Sequence, residues 1–346
     1  MSVLPEVNNL VSLLDQAVAD HHVEAPRPHL GASQIGKSCG RALWYGFRWV
    51  HTVPHSGRML RLFNRGHEEE ARFERWLTLA GITVLTIDER TGQQFQFADL
   101  DTGGHFGGSM DGMADGIPEA PKTRHVLEFK THSDKSFNAL VKAGVHKAKP
   151  EHDAQMQVYM HWAGLTRALY LAVNKNDDHL YAERVAYDAG SAQQLLARAK
   201  RIVTAQEPPA KLSETPDWYE CKYCDYRTLC HGNTLPDVQC RTCLHSTPEL
   251  DGNARWSCAK WQGDIPVEGQ REGCGEHRYI PALIPWAAVV DATDEGDVIY
   301  ELKDGSHRPL VNGASGLSSA QLQQFDPEQL TTDYVDDLPF DDDIPF

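Results

Sequence analysis

Two carboxylates and a lysine stand at a spacing that can do chemistry. Asp111 lies in GGSMDGMADG, and Glu128 and Lys130 follow in LEFKTH, 17 and 19 residues later. In a strand, positions i and i+2 share a face. Glu128 and Lys130 therefore point the same way, with Phe129 buried behind them. An Asp from a neighbouring strand brings two carboxylates and one ammonium to one spot. Such a spot suits Mg2+ or Mn2+, hard cations that prefer oxygen ligands. A cation held there polarises a phosphodiester and lowers the pKa of a bound water. Lys130 orients that water or offsets charge on the pentavalent transition state. The bland reading of Glu128 and Lys130 is a surface ion pair.

The eight cysteines form two sets of four. Cys221, Cys224 and Cys230 sit in CKYCDYRTLC, with the distant Cys39 as fourth member. Cys240, Cys243, Cys258 and Cys274 make the second set. Where thiols stay reduced, clustered cysteines read as metal ligands. Zinc closes with four thiolates, and so does a cubane iron–sulfur cluster. Spacing does not separate the two. His245 and His277 are substitute ligands for the second set. Trp256 and Trp261 lie within it, and exposed aromatics on a zinc knuckle can stack on unpaired bases. The competing reading is a metal-stapled structural appendage.

A rival motif is GASQIGKS, Gly31 to Ser38, which fits the phosphate-loop pattern, with TVLTIDE (83–89) as an acidic strand. A phosphate loop must follow a buried strand. HHVEAPRPHL precedes it, with two prolines and no strand, so the segment reads better as a helix start leading to Cys39. A P-loop ATPase is the minor alternative.

The elements that position these groups follow from periodicity. Residues 5–20 carry Val7, Leu10, Leu14 and Val18 at helical spacing. A Pro-containing connector follows. Residues 57–80 read as a helix broken or kinked near Gly66. Ile82–Ile87 and the alternating Gln93–Ala98 read as strands. His105–Gly116 is a glycine-rich strand or hairpin carrying Asp111, and His125–Thr131 a short apolar strand. Helices over 134–144, 151–163 and 189–206 and strands at Ala168–Asn174 and Leu180–Ala186 complete the pattern. Residues 208–282 have little periodicity and hold seven of the eight cysteines. Residues 287–312 suggest a small β unit.

Composition bounds the class. The chain has 346 residues, 41% hydrophobic and 24% charged, so most of it can bury a core. Its net charge is −16, and half of that comes from eight acids and no base in residues 326–346. An acidic total does not exclude nucleic acid, because binding depends on local patches. No apolar run approaches a membrane span of roughly 20 residues, and no secretory signal is visible. A cytoplasmic protein without membrane contact is expected.

The motif order resembles the PD-(D/E)XK nuclease superfamily, and within it the RecB-like branch. His67 in RGHEEEARFE is similar to that branch's helical metal-ligand motif. Gln155 and Tyr159 in QMQVY resemble its Gln-x-x-x-Tyr helix, which touches DNA and braces the site; Gln157 is the alternative glutamine. Cys39 with Cys221, Cys224 and Cys230 resembles the one-plus-three iron–sulfur staple of AddB-type and CRISPR-associated RecB-like nucleases. Asp111 follows Met110 rather than the proline of the superfamily's name. The resemblance covers about residues 31–231. It implies an α/β fold, a mixed sheet flanked by helices, and metal-dependent hydrolysis of DNA, exonucleolytic on ends or single strands. Implied catalytic residues are Asp111, Glu128, Lys130, His67, Gln155 and Tyr159; implied Mg2+ or Mn2+ ligands are His67, Asp111, Glu128 and Phe129. The staple implies a 4Fe-4S cluster. Zn2+ or a second cluster is expected in the second cysteine set.

The last six residues, Asp341, Asp342, Asp343, Ile344, Pro345 and Phe346, resemble the C-terminal tip of bacterial single-stranded-DNA-binding protein. That tip docks on repair and replication partners through an aromatic anchor and carboxylate capture. Such a tip suggests a phage-type recombination, repair or replication enzyme, acting in the host cytoplasm if phage-encoded. The expected organisation is an N-terminal helix and connector (1–30), a nuclease core with the staple (31–235), a zinc-like module (236–282), a small β unit (283–325) and a disordered acidic tail with the docking tip (326–346). The non-enzyme alternative is a DNA-end or partner-binding adaptor.

Overall fold

The computed structural model describes residues 9–22, 27–52 and 54–324. The acidic tail and its tip lie outside them. Helix α1 (Asn9–Asp20), the short β1 (Leu30–Gly31), α2 (Gly40–Phe47) and α3 (Gly57–Leu79) come first. Then follow β2 (Thr83–Leu85), β3 (Ile87–Asp88), β4 (Gln93–Gln94), β5 (Gln96–Ala98), β6 (Phe106–Ser109), β7 (Gly112–Asp115) and β8 (His125–His132). Helices α4 (Asp134–Ala148) and α5 (Pro150–Ala163) lead to β9 (Arg167–Asn174), β10 (Leu180–Ala186) and α6 (Ala189–Thr204).

The main sheet has strand order β10-β9-β8-β7-β2. β8 and β9 are parallel; the other pairs are antiparallel. This is the mixed sheet flanked by helices that was expected. β8 and β9 are buried along most of their length, as central strands covered on both faces must be. β10 alternates between exposed and half-buried, the pattern of an edge strand. One face packs a core containing Tyr159, Met156, Met160 and Tyr170. The other packs Phe129, Leu127 and Leu171 against Phe73 and Leu77 of α3. Phe73 and Phe129 stack with centroids 5.0 Å apart. A second sheet has order β1-β6-β5.

α3 runs unbroken through Gly66, where a break was expected. A Cβ at Gly66 would meet nothing within 4 Å, so this glycine serves no close contact. Its conformational cost of about 1 kcal/mol is outweighed by the packing of Leu60, Phe73 and Leu77 on either side. α4 contains a non-helical residue, Gly144, with φ of 73°, where the expected helix ends.

Past α6 the chain forms α7 (Tyr219–Lys222) and α8 (Arg227–His231), then two small sheets. These are β11 (Ser246–Pro248), β12 (Trp256–Cys258) and β13 (Gly263–Asp264), and the meander β14 (Ala287–Ala292), β15 (Val298–Leu302) and β16 (Pro309–Asn312). The cysteine-rich segment is built into the core. Trp256 is fully buried in the same cluster as Trp44, Phe47 and Phe106; its expected exposure for base stacking is wrong. Its neighbours Phe47 and His105 are remote in sequence, so local pattern could not reveal the packing. Trp261 is 65% exposed.

Between α2 and this segment lies a layer of aromatic and guanidinium planes. Arg241 sits 3.4 Å from the Trp49 ring centroid and 4.7 Å from that of Trp256. Arg48 lies 5.3 Å from Trp44 and 5.1 Å from Trp256. Desolvated cation–π contacts contribute about 2 kcal/mol each. Burial pulls the Arg48 pKa down to about 10, with Cys243 acting the other way. Among the described residues, no helix is long and apolar enough to cross a membrane.

Candidate active site

Asp111 lies in neither strand. It occupies the joint between β6 and β7, where the chain passes from one sheet to the other. Gly112 makes the joint possible: its φ is 151°, and a Cβ there would stand 2.7 Å from the Leu85 carbonyl oxygen. The Asp111 carboxylate accepts a hydrogen bond from the Phe129 amide at 2.8 Å. One side chain thus replaces a backbone partner of the ladder and is fixed beside β8.

Glu128 is fully buried and forms an ion pair with Lys130. Apart from that contact, its two oxygens have no hydrogen-bond partner. Lys130 Nζ also donates to the Phe129 carbonyl at 3.1 Å. Burial pushes the Glu128 carboxyl up to about 8; Lys130 opposes this, and Asp111 and Glu70 add to it. Burial alone would lower Lys130, but Glu128, Asp111 and Glu70 outweigh it and hold the ammonium above its usual range.

Glu70 on α3 is the residue that motif reading missed. Its pKa is raised by burial and then by Asp111, against His67 and Lys130, so it belongs electrostatically to the acid cluster. His67 stands 3.6 Å from Glu70, and its side chain is 76% exposed. His67 and Glu70 both line the cleft, and Glu70 is the one whose charge acts on Glu128 and Lys130. The signal was present as Glu68–Glu70 in sequence, but three successive acids point to different sides of a helix. Glu69 is buried and pairs with Arg72. A cleft of about 820 Å³ opens here, lined among others by His67, Glu70, Lys130, Arg27, His55 and Lys175.

Tyr159 is 2% exposed, and its hydroxyl donates to the Ser109 carbonyl at 2.6 Å. Its pKa is raised by burial, then by Glu128 and Asp111, and a hydrogen bond from Gln155 pulls the other way. Gln157 instead bridges the Ala186 carbonyl and the Asp188 amide at 3.0 and 2.8 Å. The structure thus puts Gln155 beside Tyr159 and gives Gln157 a turn to hold.

The donor set is of the kind a hard divalent cation takes: Glu128, whose Oε1 meets only Lys130 and whose Oε2 has no partner, the Asp111 carboxylate, and Glu70 within electrostatic reach. Bound there, such a cation supplies an activated water and charge stabilisation. Glu128, Asp111 and Glu70 would hold it only once drawn closer together, since as they stand they do not form a ready three-ligand group; Lys130 would keep a proton and a positive charge beside it.

Cys39, Cys221, Cys224 and Cys230 line one cavity of about 350 Å³. Cys39 caps α2, its sulfur accepting from the Ala42 amide at 3.4 Å. Burial raises the Cys224 and Cys230 thiols, and Cys39 adds to both. Cys240, Cys243, Cys258 and Cys274 line a second cavity of about 370 Å³ with His245 and His277. Cys240 is pushed up to about 11 by burial and then by the other three. His277 Nε2 faces Thr242 Oγ1 at 3.1 Å. Among the described residues, no three His, Cys, Asp or Glu side chains stand so that they could hold a metal ion. Both cysteine sets converge without reaching coordinating positions.

The phosphate-loop reading finds no cradle. The amides of Ala32, Gln34, Ile35 and Lys37 already donate to backbone carbonyls. A Cβ at Gly36 would meet the Glu151 Cα at 2.6 Å, so that glycine lets the loop pack on α5. β2 is a short strand at the sheet edge, and Asp88 binds Arg90.

The mixed sheet and its acid–lysine cluster define a nuclease. Residues 6–231, more than half of the chain, match the PD-(D/E)XK nuclease superfamily, and the chain belongs to that superfamily. No curated protein matches the chain. Among solved structures, it is similar to LHK-Exo in complex with dAMP, at 17% identity over 51% of this chain and 86% of that one, with a TM-score of 0.36. It is also similar to the alkaline exonuclease LHK-Exo from Laribacter hongkongensis, at 16% identity over 55% and 89%, TM-score 0.33. A phage related exonuclease from Haemophilus somnus 129PT matches at 12% identity over 50% and 91%, TM-score 0.35.

Proposed function

We propose that the chain is an Mg2+- or Mn2+-dependent exodeoxyribonuclease that hydrolyses phosphodiester bonds at DNA ends or in single strands. The observation that carries the reading is the buried Glu128, which has no donor other than Lys130 and is pressed by the like charges of Asp111 and Glu70. Arg27, His55 and Lys175 along the cleft suit a phosphate backbone. The exonucleolytic mode is supported by the RecB-like motif order. The test is cleavage of end-labelled DNA with and without Mn2+. Asp111→Ala and Lys130→Ala are expected to lose cleavage while keeping fold and DNA binding, a loss of about 3–4 kcal/mol in transition-state stabilisation. Normal cutting by Asp111→Ala would remove the assignment; DNA binding without metal-dependent cutting by the wild type would favour the adaptor reading.

The same proposal gives Cys39, Cys221, Cys224 and Cys230 a 4Fe-4S cluster that ties residue 39 to the 221–230 segment, supported by their shared cavity. It places the enzyme in phage-type recombination, repair or replication, with the tip Asp341–Phe346 docking on proteins that read the single-stranded-DNA-binding protein terminus. Deletion of Phe346 is expected to abolish such docking, since one buried aromatic anchor carries about 2 kcal/mol or more. Undiminished partner binding by the deletion, measured calorimetrically, would make the tail a plain acidic end.

A further inference from the structure

Among the described residues that line the catalytic cleft, Phe63 on α3 presents a phenyl ring 42% exposed, whereas Phe73 and Phe129 are buried. A single exposed apolar side chain is ordinary on a surface, but this one has a particular place. Phe63, His67 and Glu70 stand at i, i+4 and i+7, so one helix face carries all three. Seven residues of helix rise about 10 Å, which sets the spacing along α3 between the ring and Glu70. Between them Gly66 also lines the cleft, and a Cβ there would meet nothing within 4 Å. The helix surface is bare at that point and leaves room for a chain to pass. His55, just before the N-cap Ser56, meets the Phe63 ring edge to face, with centroids 5.1 Å apart and planes at 87°. Arg65 Nη2 donates to the Lys175 carbonyl at 3.2 Å. That bond brings the end of β9 against the turn of α3 that carries Phe63, and Lys175 and Arg27 line the same cleft. The other charges are taken up within the protein: Lys130 by Glu128 and Glu69 by Arg72.

We propose that Phe63 is a stacking platform for an unpaired nucleobase of the substrate strand, with His55 bracing the ring and Arg27 and Lys175 meeting the flanking phosphates. The inference rests on the nuclease reading and narrows its substrate: the strand reaches the acid cluster with a base outside any pair. Every base has a π-face, so such stacking is indifferent to base identity. Stacked nucleotides of one strand advance about 3.4 Å each. The stacked base therefore lies within about three nucleotides of the bond cut. A base inside a duplex has both faces covered by its neighbours, so a duplex end must fray before it can use the platform.

The experiment uses the full-length protein and single-stranded oligonucleotides of one length, each with one abasic site moved stepwise from the end. Affinity is read by fluorescence anisotropy in EDTA, so that nothing is cut, and cleavage of the same strands is read with Mn2+. The wild type is expected to lose affinity on the order of tenfold at one position or two adjacent ones, within about three nucleotides of the bond cut. Phe63→Ala is expected to bind the intact strand about tenfold more weakly and to show no abasic penalty at that position. Phe63→Trp should restore the penalty, and Phe63→Leu, apolar but without a π-face, should not. An abasic penalty equal in wild type and Phe63→Ala overturns the platform. So does a wild type that binds no strand or is indifferent to every abasic position. Sedimentation in which Phe63→Ala dissociates an oligomer, with abasic penalties unchanged, also overturns it and assigns the ring to a second copy of the chain. Failure of the nuclease reading looks different: a Phe63-dependent penalty without cleavage keeps the platform and loses the enzyme.

Discussion

The catalytic cleft and the layer between α2 and the cysteine-rich segment both bury formal charge, and they do it in opposite ways. In the cleft the signs are mixed: Glu128, Asp111 and Glu70 act on Lys130, and the buried Glu128 has no hydrogen-bond donor apart from its ion-pair partner Lys130. In the layer the signs are alike: Arg48 and Arg241 lie among Trp44, Trp49 and Trp256. Mutually repelling carboxylates are costly unless a cation joins them, so the cleft is arranged for a ligand and for chemistry. Guanidiniums between ring faces are packed for cohesion. Removing charge from the cleft should therefore cost rate and little stability, and disturbing the layer should cost stability.

The sharpest break of that comparison is on α3. Glu70→Gln is expected to lower cleavage roughly 100-fold, as loss of a metal-orienting carboxylate does, with an unchanged melting temperature. His67→Ala, on the rim, should lower it only a few-fold. Steady-state cleavage rates of the two variants check the order. If His67→Ala is the more damaged, the imidazole is the ligand and Glu70 merely tunes it.

This ordering also shows what could be read from sequence. Glu128 and Lys130 were legible because a two-residue repeat in a strand fixes which side chains share a face. Asp111 was legible as a residue but not as the joint between two sheets, since the crossing depends on β6 pairing with β1 and β5 while β7 pairs with β8. Glu70 was hidden in a run of acids whose roles separate only when α3 is docked on β8. The arginine layer was illegible. It joins residues 28–49, 105 and 241–270, and nothing local marks Arg48 or Trp256 as buried.

Acid should loosen the layer as well as the side of β8 where burial lowers His132 to about 4 and His152 to about 3. His105 is fully buried between Phe47 and Trp256. Its Nε2 faces the Glu249 and Arg255 carbonyls at 3.0 and 3.1 Å. Burial lowers its pKa to about 4; the two carbonyls oppose the shift, and Arg241 and Arg48 deepen it. The folded pKa lies below the unfolded value of 6.5, so the folded state binds fewer protons. Stability is then full above about pH 6.5 and is lost as pH falls toward 4. For this group the loss is on the order of 2 kcal/mol at pH 5. Urea midpoints at pH 7 and pH 5 test it, and His105→Gln should reduce the difference by this group's share, His29, His132, His152 and His277 keeping theirs. An equal pH dependence in that variant would place the acid-sensitive group elsewhere.

The smallest effect separates bracing from contact at Tyr159. Its hydroxyl donates to the carbonyl of Ser109, two residues before Asp111, and the side chain is 2% exposed. A phenol so enclosed cannot reach a DNA strand, whereas it can fix the end of β6 from which the Asp111 joint departs. Tyr159→Phe removes one hydrogen bond, which costs about 1 kcal/mol of stability. Because the Asp111 carboxylate depends on that joint to meet the Phe129 amide, the variant should lower kcat several-fold. KM for DNA should stay the same, since no surface facing the substrate has changed. A rise in KM with kcat preserved would mean that Tyr159 is exposed to the strand during turnover. The hydroxyl would then belong to the binding surface of the cleft, and its bond to Ser109 would be one that substrate displaces.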